Sequence, residues 1–197
     1  MAGILPSADV ILGLVELYLL VYSQPLPLFL YNNHWCYIIL LIFRERLGMT
    51  NIQIYDVKQN KVVTVGKIEK SYAEWKNLLT EDVFDITTNR GTEPPNTCLL
   101  GEVKESGVFK CVRCGTDLFT NSAKFESGTG WPSYYEPISP LNVIEETDSS
   151  LEMMRMEVLC ARCNSHLGHV FDDGPPPTGK RYCINGLALK FVPEGKL

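Results

Sequence analysis

The chain has 197 residues, of which 45% are hydrophobic, and a formal net charge of −5 at pH 7. This apolar content suffices for a packed core and excludes wholesale disorder. No stretch concentrates Lys and Arg as a nucleic-acid-binding surface does, so we expect no DNA or RNA partner.

Residues 1–48 differ in composition from the rest of the chain. Their two apolar runs, residues 10–20 and 35–43, are both shorter than the ~20 residues of a typical membrane-spanning helix. Three interpretations fit: a membrane-associated anchor with an internal kink, a hydrophobic subdomain or oligomerisation arm, or translated upstream sequence with Met49 as the natural start. We favour the third, because ordinary globular composition begins at Met49, and membrane association stays open as a less favoured alternative.

A β-hairpin-like extension is predicted over residues 49–70. Two β-rich runs, one around Ile54 and one around Val63, flank the polar turn at residues 58–61. Short β-rich runs on either side of a polar turn are typical of a hairpin.

One or two helices are predicted to follow the hairpin. Ser71 and Glu74 have the spacing of a capping box, and Trp75 begins an apolar pattern at helical spacing. A second helix is expected over residues 81–88 and should stop before the segment at residues 90–95, where two prolines require extended backbone. Beyond Cys98 the chain consists of short apolar segments between Gly, Pro and Asn, which indicates a mainly β core.

Four of the seven cysteines form two Cys-x-x-Cys pairs, Cys111/Cys114 and Cys160/Cys163. This spacing predicts one tetrahedral Zn²⁺ per chain, and four sulfur ligands leave no open position for a substrate, so the metal is expected to be structural. Metal-binding thiolates require a reducing compartment, so we expect the protein in the cytoplasm.

The residues after each pair fit this interpretation. Gly115 and Asn164 occupy positions where a metal knuckle commonly needs left-handed backbone. Arg113 and Arg162, inside the pairs, are expected to offset the negative charge of four thiolates.

Cys183 lies outside both pairs, in the segment Arg181-Tyr-Cys-Ile-Asn185. On a strand, Arg181, Cys183 and Asn185 project to one face while Tyr182 and Ile184 enter the core. The charge of Arg181 should favour the nucleophilic thiolate of Cys183.

Three further features precede Cys183. His166 and His169 can exchange protons near neutral pH, and Asp172 or Asp173 can orient an imidazole. Trp131 lies in a Gly- and Pro-rich loop and either plugs the core or forms one wall of an apolar pocket.

The chain resembles the B-type methionine sulfoxide reductases over roughly residues 71–192. The resemblance is carried by the two cysteine pairs and by the segments Arg90-Gly-Thr-Glu93, Lys124-Phe-Glu-Ser-Gly-Thr-Gly-Trp-Pro-Ser133, His166-Leu-Gly-His-Val-Phe-Asp-Asp-Gly-Pro175 and Arg181-Tyr-Cys-Ile-Asn185. It implies two antiparallel sheets, a structural zinc, a catalytic domain over residues 71–197, and thiol-dependent reduction of methionine-(R)-sulfoxide in oxidised proteins, with the free amino acid left open as a second substrate. It further implies regeneration by thioredoxin and a role in repairing oxidative damage.

The resemblance also implies roles for individual residues. Cys183 is the expected nucleophile, which becomes a sulfenic acid, and Trp131 with Phe171 is expected to receive the substrate. His166, His169 and Asp173 are expected to line the pocket, and Arg181 and Asn185 are expected to flank the thiol.

Thr129 occupies the position where many family members carry a second, resolving cysteine. We expect either Cys98 to resolve the sulfenic acid, or direct attack by thioredoxin or a small thiol.

Two other classes of protein use similar cysteine motifs. A zinc-ribbon binding module has no need for Arg-x-Cys-x-Asn beside His-x-x-His. A thioredoxin-like disulfide oxidoreductase requires Cys-x-x-Cys at a helix start in a βαβ unit, a pattern that neither pair has.

Overall fold

A computed structural model describes residues 50–98, 100, 103–149 and 154–196 of the chain. Our interpretation of residues 1–48 falls outside these described residues. Neither helix of the described part has the length and apolar character of a membrane span.

The described chain begins with a separate two-stranded antiparallel sheet. Strands β1 (Asn51–Asp56) and β2 (Lys61–Gly66) pair with Ile54 opposite Val63, as the sequence pattern predicts. Ile54 is buried, so the hairpin lies with one face against the rest of the protein.

Two helices follow, α1 (Tyr72–Leu78) and α2 (Glu81–Asn89). The predicted capping box starts α1: the Ser71 hydroxyl accepts from the Glu74 amide at 3.3 Å, and the Glu74 carboxylate accepts from the Ser71 amide at 2.8 Å. Helix α2 ends at Arg90, whose φ of 60° turns the chain in the left-handed conformation that commonly terminates helices.

The remaining strands form two antiparallel sheets, which confirms the predicted fold class. The smaller sheet has three strands in the order β11, β3, β4: β3 (Gly107–Cys111), β4 (Asp117–Thr120) and β11 (Leu189–Pro193). The larger sheet has six strands in the order β5, β6, β10, β9, β8, β7: β5 (Lys124–Phe125), β6 (Ser133–Tyr134), β7 (Val143–Asp148), β8 (Arg155–Cys160), β9 (His166–Phe171) and β10 (Arg181–Ile184).

One hydrophobic core joins the two sheets and the helices. Phe119 stacks on Tyr134 with ring centroids 4.4 Å apart, and both side chains are fully buried. Tyr182 and Ile184 of β10 also enter this core, as their alternation with Arg181 and Cys183 predicts.

The hairpin is attached to the sheets through the buried amide of Asn142. Its carbonyl oxygen accepts from the Tyr55 amide at 2.7 Å, and its NH₂ group donates to the carbonyl oxygens of Tyr55 at 2.9 Å and Asp117 at 2.6 Å. The Asp117 carboxylate accepts from the Val57 amide at 2.9 Å. These bonds satisfy buried polar groups that would otherwise be costly.

Candidate active site and metal centre

The two cysteine pairs converge on one cluster. The sulfur atoms of Cys111, Cys114, Cys160 and Cys163 all lie within 4.8 Å of one another. The Cys111–Cys163 and Cys114–Cys160 sulfur separations are 3.6 and 3.5 Å, far longer than the ~2.05 Å of a disulfide. They are near the ~3.8 Å expected between sulfurs bound tetrahedrally to a metal at about 2.3 Å. This donor set fits a metal site.

The knuckles repeat the same backbone geometry. Gly115 and Asn164 both have positive φ, 75° and 52°, as the sequence predicts. Their amides donate to the carbonyl oxygens of Cys111 and Cys160 at 2.8 and 2.9 Å. Each turn therefore places its two sulfurs on one side.

The knuckle arginines bond groups on neighbouring elements of the fold. Arg113 donates to the carbonyl oxygen of Thr87 at 3.0 Å and lies 3.8 Å from the ring centroid of Trp75. Arg162 donates to the carbonyl oxygen of Gly66 at 3.3 Å. Both arginines connect the metal knuckles to the helices and the hairpin.

Cys183 lies in the middle of the larger sheet. It is paired with His169 on β9 and with Ser133 on β6. Directly opposite residues of an antiparallel pair project to the same face. The sequence pattern predicted that Cys183 and Arg181 project from the same face of the strand. It could not predict that His169 and Ser133 are the neighbours of Cys183, because this depends on the register between strands.

A cavity of about 160 Å³ opens beside Cys183. It brings together several of the predicted site residues with groups that the sequence reasoning did not single out. Its lining includes Cys183, His169, Trp131, Phe171, Asn185, Thr92 and Arg155. His166, Asp173 and Arg181 are not part of that lining.

The pKa of Cys183 is raised, mainly by burial. The charge of Arg181 and hydrogen bonding from Thr129 and Arg181 oppose this effect but do not overcome it. Arg181 therefore favours the thiolate, as the sequence predicts, but desolvation outweighs its effect because burial disfavours the charged form.

Arg181 is engaged by Asp173. Its guanidinium donates to the two carboxylate oxygens at 2.8 and 2.9 Å, and this bidentate pairing holds the pKa of Asp173 below its usual range. The guanidinium also lies 4.5 Å from the ring centroid of Phe171. Asp173 thus acts on the arginine, not on an imidazole.

The two histidines have different environments. His166 is 2% exposed, and its Nδ1 lies 2.7 Å from the carboxylate of Glu157. Burial lowers the pKa of His166 despite that carboxylate, which favours a neutral ring. His169 lines the cavity, and its Nε2 lies 2.9 Å from a carboxylate oxygen of Asp148.

Glu93 fixes the wall of the cavity that carries Trp131 and Asn185. Its carbonyl oxygen accepts from the indole N–H of Trp131 at 2.9 Å, and its amide donates to Asn185 at 3.1 Å. Its buried carboxylate accepts from the amides of Gly186 and Leu187 at 2.6 and 3.0 Å. One residue thereby holds both sides of the pocket mouth.

Cys98 lies beneath this segment. Its sulfur accepts from the Leu100 amide at 3.4 Å, and it touches Gly186, three positions after Cys183. Burial raises the pKa of the Cys98 thiol, so Cys98 is not an activated thiolate in this conformation.

Sequence reasoning missed the roles of Asp148, Arg155 and Glu93. Glu93 is part of a quoted motif, but its contacts reach Asn185 and Gly186, about ninety positions away. Asp148 and Arg155 meet because they are opposite each other at the ends of β7 and β8. For Asp148 and Arg155, the one local signal is that residues of opposite charge stand at the two strand ends that the segment between β7 and β8 connects.

A half-buried thiol, an imidazole and an indole line one small cavity, on a scaffold that brings four cysteines within metal-binding distance. Residues 79–193 match the SelR domain. The relatives include proteins named "Peptide methionine sulfoxide reductase MsrB". The one from Methanosarcina mazei is 52% identical over 129 residues, covering 66% of this chain and 92% of the relative. The one from Hahella chejuensis is 49% identical over 127 residues, covering 64% and 91%.

The chain belongs to the SelR-domain family, the B-type methionine sulfoxide reductases, and is an oxidoreductase. Among solved structures, the "Crystal Structure of Mis18 'Yippee-like' Domain" matches 45% of this chain and 96% of its own at 20% identity, with a TM-score of 0.37. That similarity is too low to support a functional argument.

Proposed function

We propose that this enzyme reduces methionine-(R)-sulfoxide in oxidised proteins to methionine, with Cys183 as the nucleophile. The proposal rests on one observation above all: Cys183 and His169, cross-strand partners, line the same small cavity with Trp131. The substrate class agrees with the names of the relatives.

The raised pKa of Cys183 is compatible with this chemistry because the reaction uses the thiol proton. His169 takes that proton and delivers it to the sulfoxide oxygen as the Cys183 sulfur attacks. The S–O bond of the substrate breaks and an S–O bond to Cys183 forms. Methionine leaves, and the balanced products are methionine and Cys183 sulfenic acid.

The aromatic groups supply the substrate-binding surface. Trp131 and Phe171 line the cavity, and we assign the sulfoxide methyl group to the indole wall. Asn185 is 4% exposed and hydrogen-bonded to Glu93, so it is a rigid polar group at the mouth. Arg181 acts on Cys183 by charge, and Asp173 holds Arg181. His166, neutral and buried, supports the ring of His169, whose centroid lies 5.5 Å away.

Regeneration requires two thiol equivalents. A thiol attacks the sulfenic sulfur, water leaves, and the resulting disulfide is reduced by a second thiol. Cys98, close to Gly186, is our candidate for the first thiol, and thioredoxin for the final reductant. Direct reduction by thioredoxin or a small thiol is the alternative.

The ion in the four-cysteine site is assigned as Zn²⁺. Sulfur-only, four-ligand sites of this spacing are typical of structural zinc, and its binding free energy would contribute to folding. We place the protein in a reducing compartment, the cytoplasm, where it would repair oxidative damage to proteins.

The decisive experiment compares the parent protein with Cys183→Ser. Each is incubated with the separate R and S epimers of a methionine sulfoxide peptide and dithiothreitol, and methionine is quantified. The parent should consume only the R epimer and the variant neither. Equal activity of parent and variant would remove the proposed role of Cys183.

A further inference from the structure

We propose that Asp148, held by Arg155, is the positioning residue for His169 in this reaction. The inference rests on the proposed function, because it concerns how the proton reaches the sulfoxide oxygen. Asp148 acts through the imidazole and does not line the cavity itself.

The register of three strands brings these groups together. Asp148, the last residue of β7, is opposite Arg155, the first residue of β8. Glu157, two residues further along β8, is opposite His169 on β9. The pair Asp148–Arg155 is therefore diagonal to His169 on the same face of the sheet.

The contacts are short and sheltered. One carboxylate oxygen of Asp148 lies 2.8 Å from Arg155 and 2.9 Å from Nε2 of His169. The side chains of Asp148 and His169 are 10% and 14% exposed, so solvent screens this contact much less than one at an exposed surface.

These contacts define the tautomer of His169. An ionised carboxylate only accepts hydrogen bonds, so the proton in the short contact belongs to Nε2. The proton that is taken from Cys183 and given to the substrate is therefore carried on Nδ1. The negative charge of Asp148 stabilises the imidazolium while it carries both protons.

Asp148 fills the place that the sequence suggested for Asp172 or Asp173. Asp173 is bonded to Arg181, and Glu157 is bonded to His166 and lies 3.3 Å from Arg90. Among the residues that the structure describes, the charged or titratable groups that face His169 from neighbouring elements are Asp148, Arg155, Glu157, His166, Cys183 and, diagonally on β10, Arg181.

Asp148→Asn tests the proposal in the full-length, metal-loaded protein. The probe is an N-acetyl methionine-(R)-sulfoxide amide, and single-turnover reduction is measured against pH. We expect the rate constant to fall at least tenfold, since general acid–base groups contribute about 10²–10⁴, with substrate half-saturation unchanged. The decline in rate at acidic pH, where His169 is protonated before it can accept the thiol proton, should move to lower pH, because the imidazolium has lost its counter-charge.

Arg155→Gln should shift the pH–rate profile in the direction opposite to Asp148→Asn. Removing a cation near His169 favours the imidazolium, so the acidic decline should move to higher pH. A general structural disturbance would not shift the two variants in opposite directions. Glu146→Gln, which removes the same charge from β7 two residues earlier, is the matched control and should behave as the parent.

Two further readouts separate the possible outcomes. The rate of Cys183 alkylation, followed by peptide mass spectrometry, should be unchanged in Asp148→Asn, and Asp148→Glu should recover part of the lost rate. Metal content and melting temperature report folding; if Asp148→Asn does not fold, Arg155→Gln and Asp148→Glu carry the test. If the folded variants keep the parent's rate and pH profile, the positioning role is overturned, while an inactive parent would instead overturn the proposed function.

Discussion

The sulfur of Cys98 packs directly against Gly186, so that a β-carbon at position 186 would overlap it. The contact places a free thiol beneath the segment that continues from Cys183. Cys98 and Cys183 are both half-buried, and neither forms a disulfide in this state.

If Cys98 is the resolving thiol, Cys98→Ser should slow thioredoxin-coupled turnover several-fold, because the sulfenic acid loses its internal partner. The first, stoichiometric reduction should be unchanged, since Cys98 takes no part in it. Steady-state NADPH oxidation and a single-turnover assay without reductant measure the two quantities. Unchanged steady-state turnover would rule Cys98 out and favour direct attack by thioredoxin.

Alkylation of Cys183 should still rise with pH above about 8.5, the ordinary pKa of cysteine. Burial raises its pKa, so the protonated thiol persists to higher pH than in an exposed cysteine. The contribution of the protonated Cys183 thiol to the free energy of unfolding is fully present below its unfolded-state pKa. It is lost as the pH rises through the folded-state pKa. Iodoacetamide labelling followed by peptide mass spectrometry gives the profile, and a plateau below pH 8 would contradict it.

Arg181→Met should move this alkylation profile to still higher pH. Arg181 is the cation that opposes the effect of burial on the pKa of Cys183. Lys180→Met is the matched control, because Lys180 bonds Glu145 at 3.0 Å. Asp173→Asn should act in the reverse direction, because Asp173 raises the pKa of Cys183.

Removal of the metal should destabilise the whole fold. The site joins knuckles that follow β3 and β8, so losing it is expected to cost several kcal/mol and to lower the melting temperature by at least about 10 °C. Cys111→Ser or treatment with a strong chelator provides the test, with zinc quantified by atomic spectroscopy. Cys98→Ser should retain one metal per chain, and an unchanged melting temperature on metal loss would contradict a structural role.

Glu93→Gln should lower stability and weaken substrate binding together. Glu93 accepts two backbone hydrogen bonds with its buried carboxylate, and a hydrogen bond to a charged group contributes about 1.5–3 kcal/mol. The change should raise KM more than it lowers kcat, because the segment Gly186–Leu187 beside Asn185 loses one of its two bonds to the side chain at position 93, while the backbone bonds of that residue to Trp131 and Asn185 remain. Glu126, which is exposed and accepts one backbone bond at 2.9 Å, gives the control Glu126→Gln, for which little change is expected.

The features that depend on residues close together in the sequence were predicted correctly. The metal cluster follows from two Cys-x-x-Cys pairs, and the alternation of Arg181, Tyr182 and Cys183 follows from strand geometry. The direction of the effect of Arg181 on the pKa of Cys183 was predicted, but the opposing effect of burial was not, because sequence shows the neighbouring charge and not the burial. The contacts of Arg113 with Thr87 and Trp75 were not predicted, because only tertiary packing decides where this side chain extends.

The groups around His169 illustrate the other limit. Asp148 is 21 positions before His169 and becomes its neighbour only through the register of β7, β8 and β9. Asp173, four positions away, is the nearer choice in sequence. A one-residue change of register would reverse the faces of the strand, so pairing across strands could not be inferred from spacing alone.

The amide of Asn142 has a practical meaning for shortening this protein. Residues 79–193 match the family domain, and Tyr55 lies before that interval. The backbone of Tyr55 nevertheless forms hydrogen bonds with both the oxygen and the nitrogen of the Asn142 side-chain amide. Trimming to the shared domain would remove both bonds to Tyr55 and expose the Asn142 side chain to water, with only its bond to the carbonyl oxygen of Asp117 remaining. A shortened form of this protein that stays active should therefore retain the β1–β2 hairpin.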